Sequence, residues 1–172
     1  MLELLKQRRS IRKYRDLEVE KEVLEKILNV AMLAPTSMNK KPVEFIIVED
    51  KETLLKLEGC KKIGTLALKT APLAIVVIAD KEKSDVWVED ASIAAILIQM
   101  EVEALGLGSC WIQMRNRQSE TGDSEKDIRR VLNIPENFGV LSVLTIGYKY
   151  EFKEPYQDSN IELTRVHNNK YI

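Results

Sequence analysis

The sequence predicts a single domain that mixes helices and strands, and three observations carry that reading. Apolar residues recur at three and four from Val23 to Ala31, the period of a half-buried helix. Short apolar runs bounded by turn residues recur at Val43–Val48, Leu73–Ala79, Ser109–Gln113 and Val140–Tyr148, the pattern of buried strands. The 172 residues are 45% hydrophobic and 31% charged, which suits one globular unit burying roughly 70% of its extended-chain surface.

Taken in order, Met1–Gln7 reads as a short helix that delivers a basic stretch, and Arg15–Glu20 as a polar connection. A helix spans about Glu20–Ala34, with Val23, Leu24, Ile27, Leu28 and Ala31 on one face, and Pro35 ends it. The loop Pro35–Pro42 is bracketed by prolines and rich in hydrogen-bonding side chains, a composition that suits turns and ligand contacts alike. After the first strand, Lys51–Glu58 reads as a surface helix with Leu54, Leu55 and Leu57 inward. Lys61–Thr70 is ambiguous. The longest element runs from about Ser84 to Leu105, and its centre, Ala91–Met100, is apolar nearly all round. Such a helix is covered on every side, and in a chain this small a second subunit is the expected cover. Gly106 and Gly108 stop it. Met114–Asp123 is a polar loop, and Ser124 is expected to cap a helix to about Leu132. Lys149–Ile172 is a polar tail with scattered aromatics.

Composition also excludes functions. Lys plus Arg number 26 against 27 for Asp plus Glu, a balance unlike the basic footprint of a nucleic-acid binder. The longest apolar run, Ala71–Ala79, is about half of what a membrane-spanning helix needs. Glu3 and Lys6 interrupt the N-terminal apolar residues, so no signal peptide is expected and a cytoplasmic location is the default. Cys60, Cys110 and the lone His167 lack metal-ligand spacing. Cys110 reads as a buried structural thiol, His167 as a surface or dimer contact, and Trp87 and Trp111 as packing residues.

The chemistry-bearing stretch is Arg8-Arg9-Ser10-Ile11-Arg12. In an extended segment Arg8, Ser10 and Arg12 share one face and Ile11 turns to the core. Guanidiniums grip phosphate bidentately, and a hydroxyl between two of them completes a pocket for a dianion. From these five residues alone a solvated basic patch competes with that reading.

Four stretches together resemble the nitroreductase family of flavin enzymes. Arg8-Arg9-Ser10-Ile11-Arg12-Lys13-Tyr14 is similar to its R-R-S-x-R-x-[FY] signature, and Ala34–Pro42 to its A-P-[ST]-x-x-N-x-[QK]-P loop. Asp90–Ala95 and Leu105–Ile112 resemble its D-A-x-x-A helix followed by G-L-G-x-x-W-I, and Ile146-Gly147-Tyr148 its I-G-Y. The resemblance implies an α+β fold in three layers, a central, mostly antiparallel sheet flanked by helices. It also implies an intertwined homodimer with FMN at the interface. The 149–172 tail has too few apolar residues to fold alone, so it is expected to reach over the partner, anchored by Tyr156, Val166 and Tyr171.

Carried over by position, Arg8, Arg9, Ser10 and Arg12 would hold the FMN phosphate and ribityl chain. From the second subunit Pro35, Thr36, Ser37 and Asn39 would border the isoalloxazine. Gln113 and Met114 fall where the family places a backbone N–H near flavin N5. Where many members carry a basic pair after I-G-Y, this chain offers only Lys153, with Arg165 later. The implied activity is FMN-dependent NAD(P)H oxidation, a hydride passing through N5 to a small flat acceptor such as a nitroaromatic or quinone in ping-pong fashion. The flavin carries that chemistry, so no residue is expected to act as a catalytic acid or base. Lys40 and Lys41 read as solvated loop lysines. Two other readings are a specialised relative (flavin destruction or reductive dehalogenation) and a non-catalytic flavin-binding storage or sensing protein.

Overall fold

Strand β2 (Leu73–Asp80) is buried at every one of its 8 positions, because β1 (Val43–Val48) and β4 (Phe138–Gly147) flank it and helices cover both its faces. This computed structural model describes residues 1–171, and Ile172 lies outside the described residues. Strand β3 (Gly108–Gln113) completes a four-stranded sheet of order β1-β2-β4-β3, every pairing antiparallel. The two-residue period of β2 feeds two cores. Leu73, Ile75, Val77 and Ala79 pack with α2 (Lys21–Met32) and α4 (Trp87–Ala104). Ala74, Val76 and Ile78 pack with α3 (Lys51–Gly59) and α5 (Ser124–Leu132). The layers are therefore helix, sheet, helix, the α+β arrangement expected.

Two expectations are corrected, those for Leu55 and for the cap of α5. Leu54 and Leu57 are buried three apart, but Leu55 stands about 100° round the helix from Leu54 and is 49% exposed. The cap of α5 is Asp123, whose extended backbone lets its carboxylate accept the Lys126 N–H at 3.0 Å, so Ser124 is the first helical residue. The ambiguous stretch holds a short 3₁₀ turn, Leu66–Lys69, with a bend before it. Helix α4 is not covered all round by its own chain. Ala91, Ala94, Ala95 and Ile98 face the sheet, while Ile93 and Ile96 stay 39% exposed on the outer face.

The first half of the tail packs on its own chain. Residues 150–156 run back along the chain's own N-terminal segment, with Tyr150 N–H donating to Lys13 C=O at 3.0 Å and Tyr156 N–H to Lys6 C=O at 2.9 Å. Tyr156 therefore anchors to its own chain, whereas Val166 and Tyr171 are exposed. α1 (Leu2–Gln7) lies beneath this strap, its Lys6 paired with Asp158 at 2.6 Å.

Candidate functional site: a basic arch and a strained loop

After α1 the backbone turns extended at Arg8 and lies against the edge strand β3, where Ser10 bridges Ser109 and Ile11 N–H donates to Ser109 C=O at 2.9 Å. Ile11 is buried, as the alternation predicts, and Tyr14 Oη donates to its carbonyl at 2.6 Å. Burial pushes the Tyr14 phenol far above its ordinary range, so it stays a donor. Gly108 allows the close approach, since a Cβ there would lie 2.8 Å from the Ile11 Cβ. Residues 8–12 thus form an arch pinned to the sheet edge at its centre.

The returning tail crosses this arch. Lys153 Nζ donates to Ser10 C=O at 2.7 Å, which brings to the arch the basic residue that sequence spacing left in question. Arg12 N–H donates to Glu151 Oε1 at 2.5 Å. Arg9 donates through Nη1 to Glu154 C=O, its guanidinium 4.5 Å over the Tyr156 ring, so it fastens the strap. Lys149 pairs with Glu103 of α4 at 2.6 Å. Burial raises the Cys110 thiol, opposed by the charges of Arg12, Lys153 and Arg8. Cys110 is accordingly a buried, protonated thiol beside the cationic cluster. Arg165 pairs instead with Glu162 at 3.5 Å in its own exposed turn.

The second element is the loop after α2. Met38, Asn39 and Lys41 all adopt positive φ, at 51°, 55° and 50°, so the turn is locally strained. Its fastening comes from elsewhere: Lys41 N–H donates to Thr36 Oγ1 at 3.0 Å, and Ser37 N–H donates to Asp90 Oδ1 at 2.8 Å. Asp90 is buried near the start of α4 and also accepts from Ser84 Oγ at 2.9 Å. Among the described residues the Asn39 side chain makes no hydrogen bond, and it is exposed. Pro35 is exposed beside it.

The third element is the open edge of β3. Ser109 directs its carbonyl outward to Ile11, so by strand alternation Trp111 and Gln113 direct their backbone groups outward too. Gln113 ends the strand, with its side chain accepting from Trp111 Nε1 at 2.9 Å and donating to Arg115 C=O at 3.0 Å. Met114 lies inward: its side chain is fully buried and its N–H donates to Leu141 C=O at 3.1 Å. Beside Gln113, Ser142 Oγ is buried without a partner among the described residues.

The strand register locates these elements relative to one another. Ser109 shares a row with Ile146 and Leu73, and Val43 with Ala79, six residue steps along β2. That is about 20 Å along the strands and about 14 Å across three strand spacings, a diagonal of roughly 25 Å. Helix α4, 18 residues and so about 27 Å long, runs between the two corners. Arch and loop are therefore at opposite corners, too far apart for a single ribityl chain. Sequence reasoning missed Asp90, which was quoted only as part of a motif, and missed Glu151 and the Glu103–Lys149 pair, which only the folded-back tail reveals.

A three-layer α+β chain with a guanidinium-rich arch on a sheet edge is the class these observations define. The model of the nitroreductase family matches residues 5–70 and 60–148, and the chain belongs to that family. It is 39% identical, over 99% of its length and 98% of the relative's, to a protein of Archaeoglobus fulgidus provisionally named NADH dehydrogenase/NAD(P)H nitroreductase. An FMN-dependent nitroreductase structure from Clostridium difficile R20291 is 53% identical with a TM-score of 0.97, covering 99% of this chain and 100% of that one. A nitroreductase family protein of Clostridium difficile 630 is 30% identical with a TM-score of 0.80, covering 100% and 99%.

Proposed function

We propose that the protein is a homodimeric FMN-dependent oxidoreductase that takes electrons from NAD(P)H. The observation that carries this reading is the arch: Arg8, Ser10, Arg12 and Lys153 gather on one sheet edge, a donor set whose charge and geometry fit a phosphate monoester. The names of the Clostridium difficile and Archaeoglobus fulgidus relatives support the cofactor and the donor respectively.

When bound, FMN supplies two-electron transfer between a nicotinamide and a flat acceptor such as a nitroaromatic or quinone, each using the same site in turn. The chain's own residues bind and orient. Arg8 and Arg12 would neutralise the phosphate, the Ser10 hydroxyl would bond it, and Lys153 would add a point charge. Arg9 acts indirectly, holding the tail that carries Lys153. The outward N–H of Gln113 would serve as a donor to the bound flavin ring. Pro35, Thr36, Ser37 and Asn39 cannot reach the same flavin from their own chain across roughly 25 Å. They come from a second copy, with Ile93 and Ile96 of α4 buried between the subunits and the tail beyond residue 158, including Arg165, laid on the partner. No acid–base pair is assigned, since a bound flavin would carry the redox chemistry.

The test is to titrate purified protein with FMN and follow NADH and NADPH oxidation with a quinone. Bound flavin and turnover are expected. A colourless protein whose melting temperature does not rise in excess FMN would overturn the reading, because a ligand selective for the native state stabilises it by mass action.

A further inference from the structure

Glu151 places a carboxylate inside the cationic arch. Its Oε1 accepts the Arg12 backbone N–H at 2.5 Å and lies 3.8 Å from Lys153 Nζ. Lys153 is at the same time tied to Ser10 C=O at 2.7 Å. One cation that would meet an incoming phosphate, Lys153, thus already faces an acid of the same chain. Side chains of both Glu151 and Lys153 are about three-quarters buried, at 24% and 28% exposure, so the pair is sheltered from bulk solvent. Desolvation raises the Glu151 carboxyl, but the N–H groups of Arg12 and Lys13 and the charges of Lys153 and Lys13 outweigh it and hold the group below the ordinary carboxylate range. It is ionised at neutral pH.

We infer that Glu151 is a built-in counter-anion that sets how strongly the arch discriminates between phosphorylated and unphosphorylated flavins. The inference rests on the arch being the phosphate site. A dianion that binds there shares Lys153 with a fixed negative charge, and the mutual repulsion offsets part of the attraction. Riboflavin, with no phosphate, is indifferent to Glu151. The wild-type preference for FMN over riboflavin is therefore smaller than the cation count of the arch predicts, and FMN exchanges more readily.

The decisive variant is Glu151→Gln. The amide oxygen can still accept from Arg12 N–H, so the arch keeps its shape while the charge is removed. Dissociation constants of the apo-protein for FMN and riboflavin, measured by flavin fluorescence at low salt, give the ratio that matters. The expected result is FMN binding tightened roughly five- to ten-fold, with riboflavin unchanged within about two-fold. Raising the salt should shrink the gain. Glu151→Ala, which removes charge and acceptor together, should move the ratio in the same direction, and apo melting curves check that each variant folds. An unchanged ratio, or equal weakening of both flavins, would overturn the inference and make Glu151 a strut for the arch. If wild type binds both flavins with equal affinity but Glu151→Gln restores a preference for FMN, the inference stands in its strongest form. Failure of wild type and variant alike to bind any flavin would overturn the site reading itself, a result distinct from an unchanged ratio.

Discussion

Replacing Gly108 with alanine tests whether the arch is held in place by its contact with β3. A Cβ at that position would stand 2.8 Å from both Cβ and Cγ1 of Ile11 and 2.9 Å from Lys149 Cγ. Carbon atoms rest at about 3.5–4.0 Å, so these neighbours must retreat by at least about 0.6 Å. Lys149 has little freedom, because its ammonium pairs with Glu103 at 2.6 Å. Ile11 cannot rotate its Cβ away, since that atom is bonded to the arch backbone. The arch itself must lift, straining the Ile11 N–H to Ser109 C=O bond of 2.9 Å. Overpacking of this kind costs roughly 1–3 kcal/mol. Urea unfolding of the apo-protein should show that loss, and flavin titration should show FMN weakened more than riboflavin, since Ser10 moves with Ile11. Gly106→Ala is the control: its φ is +81° and a Cβ there meets nothing within 4 Å. That variant should lose about 1–2 kcal/mol to left-handed strain and keep the FMN-to-riboflavin ratio. If Gly108→Ala loses stability at an unchanged ratio, the arch does not read the phosphate.

Three further outcomes are expected. Arg8→Ala and Arg12→Ala should each cost FMN on the order of 1.5–3 kcal/mol of binding and riboflavin far less, and equal losses in the same titration would mean the arginines support the fold. Ile96→Lys should turn a dimer into monomers in sedimentation and release flavin, because Ile93 and Ile96 are the large apolar residues on the outer face of α4 that its own chain leaves 39% exposed. Burial, reinforced by the charge of Asp127, pushes the Cys60 thiol up to about 11. The folded state then keeps a proton that the unfolded chain loses near about 8.5, so stability falls as pH rises from about 9 to about 11. Urea midpoints across that range should flatten in Cys60→Ala, and a slope unchanged by the mutation would assign the loss to other groups.

Much of the architecture was legible because it rests on local pattern. Val43–Val48 is a strand in both readings, and the three-and-four spacing of Ile27 and Ala31 marks the buried side of α2 correctly. What escaped was set by long-range pairing or by a single side-chain choice. Leucines at 54, 55 and 57 look alike in composition, and only helical phase separates them. Asp123 and Ser124 are both good caps, and the backbone angle at Asp123 decides between them. Met114 and Gln113 are neighbours in sequence but face opposite sides of the sheet, so only one can offer an N–H to a ligand. The strap of residues 150–156 has no local signature at all; it forms because the N-terminal segment presents carbonyls at Lys6, Ser10 and Lys13 that accept from it.

Asn39 gives the sharpest test of the loop. A turn can use asparagine in two ways, through its side-chain hydrogen bonds or through its tolerance of positive φ. Here the side chain makes no hydrogen bond among the described residues, while φ is 55°. Thr36 and Asp90 fasten the loop instead, through Lys41 N–H and Ser37 N–H. The amide of Asn39 is therefore without an internal partner among the described residues, and the backbone need and the side-chain role can be separated. Asn39→Gly removes the amide without left-handed strain, so apo-protein melting should change by no more than about 1 kcal/mol. Flavin affinity should fall and the reduction potential of the bound flavin should shift. Asn39→Ala adds strain of about 1–2 kcal/mol to the same loss of contact. Thr36→Val, which removes the acceptor of the Lys41 N–H, should instead lower the apo melting temperature. If Asn39→Gly binds FMN with wild-type affinity and potential, asparagine is present at that position for its backbone alone, and the ring must be held by other residues of the loop.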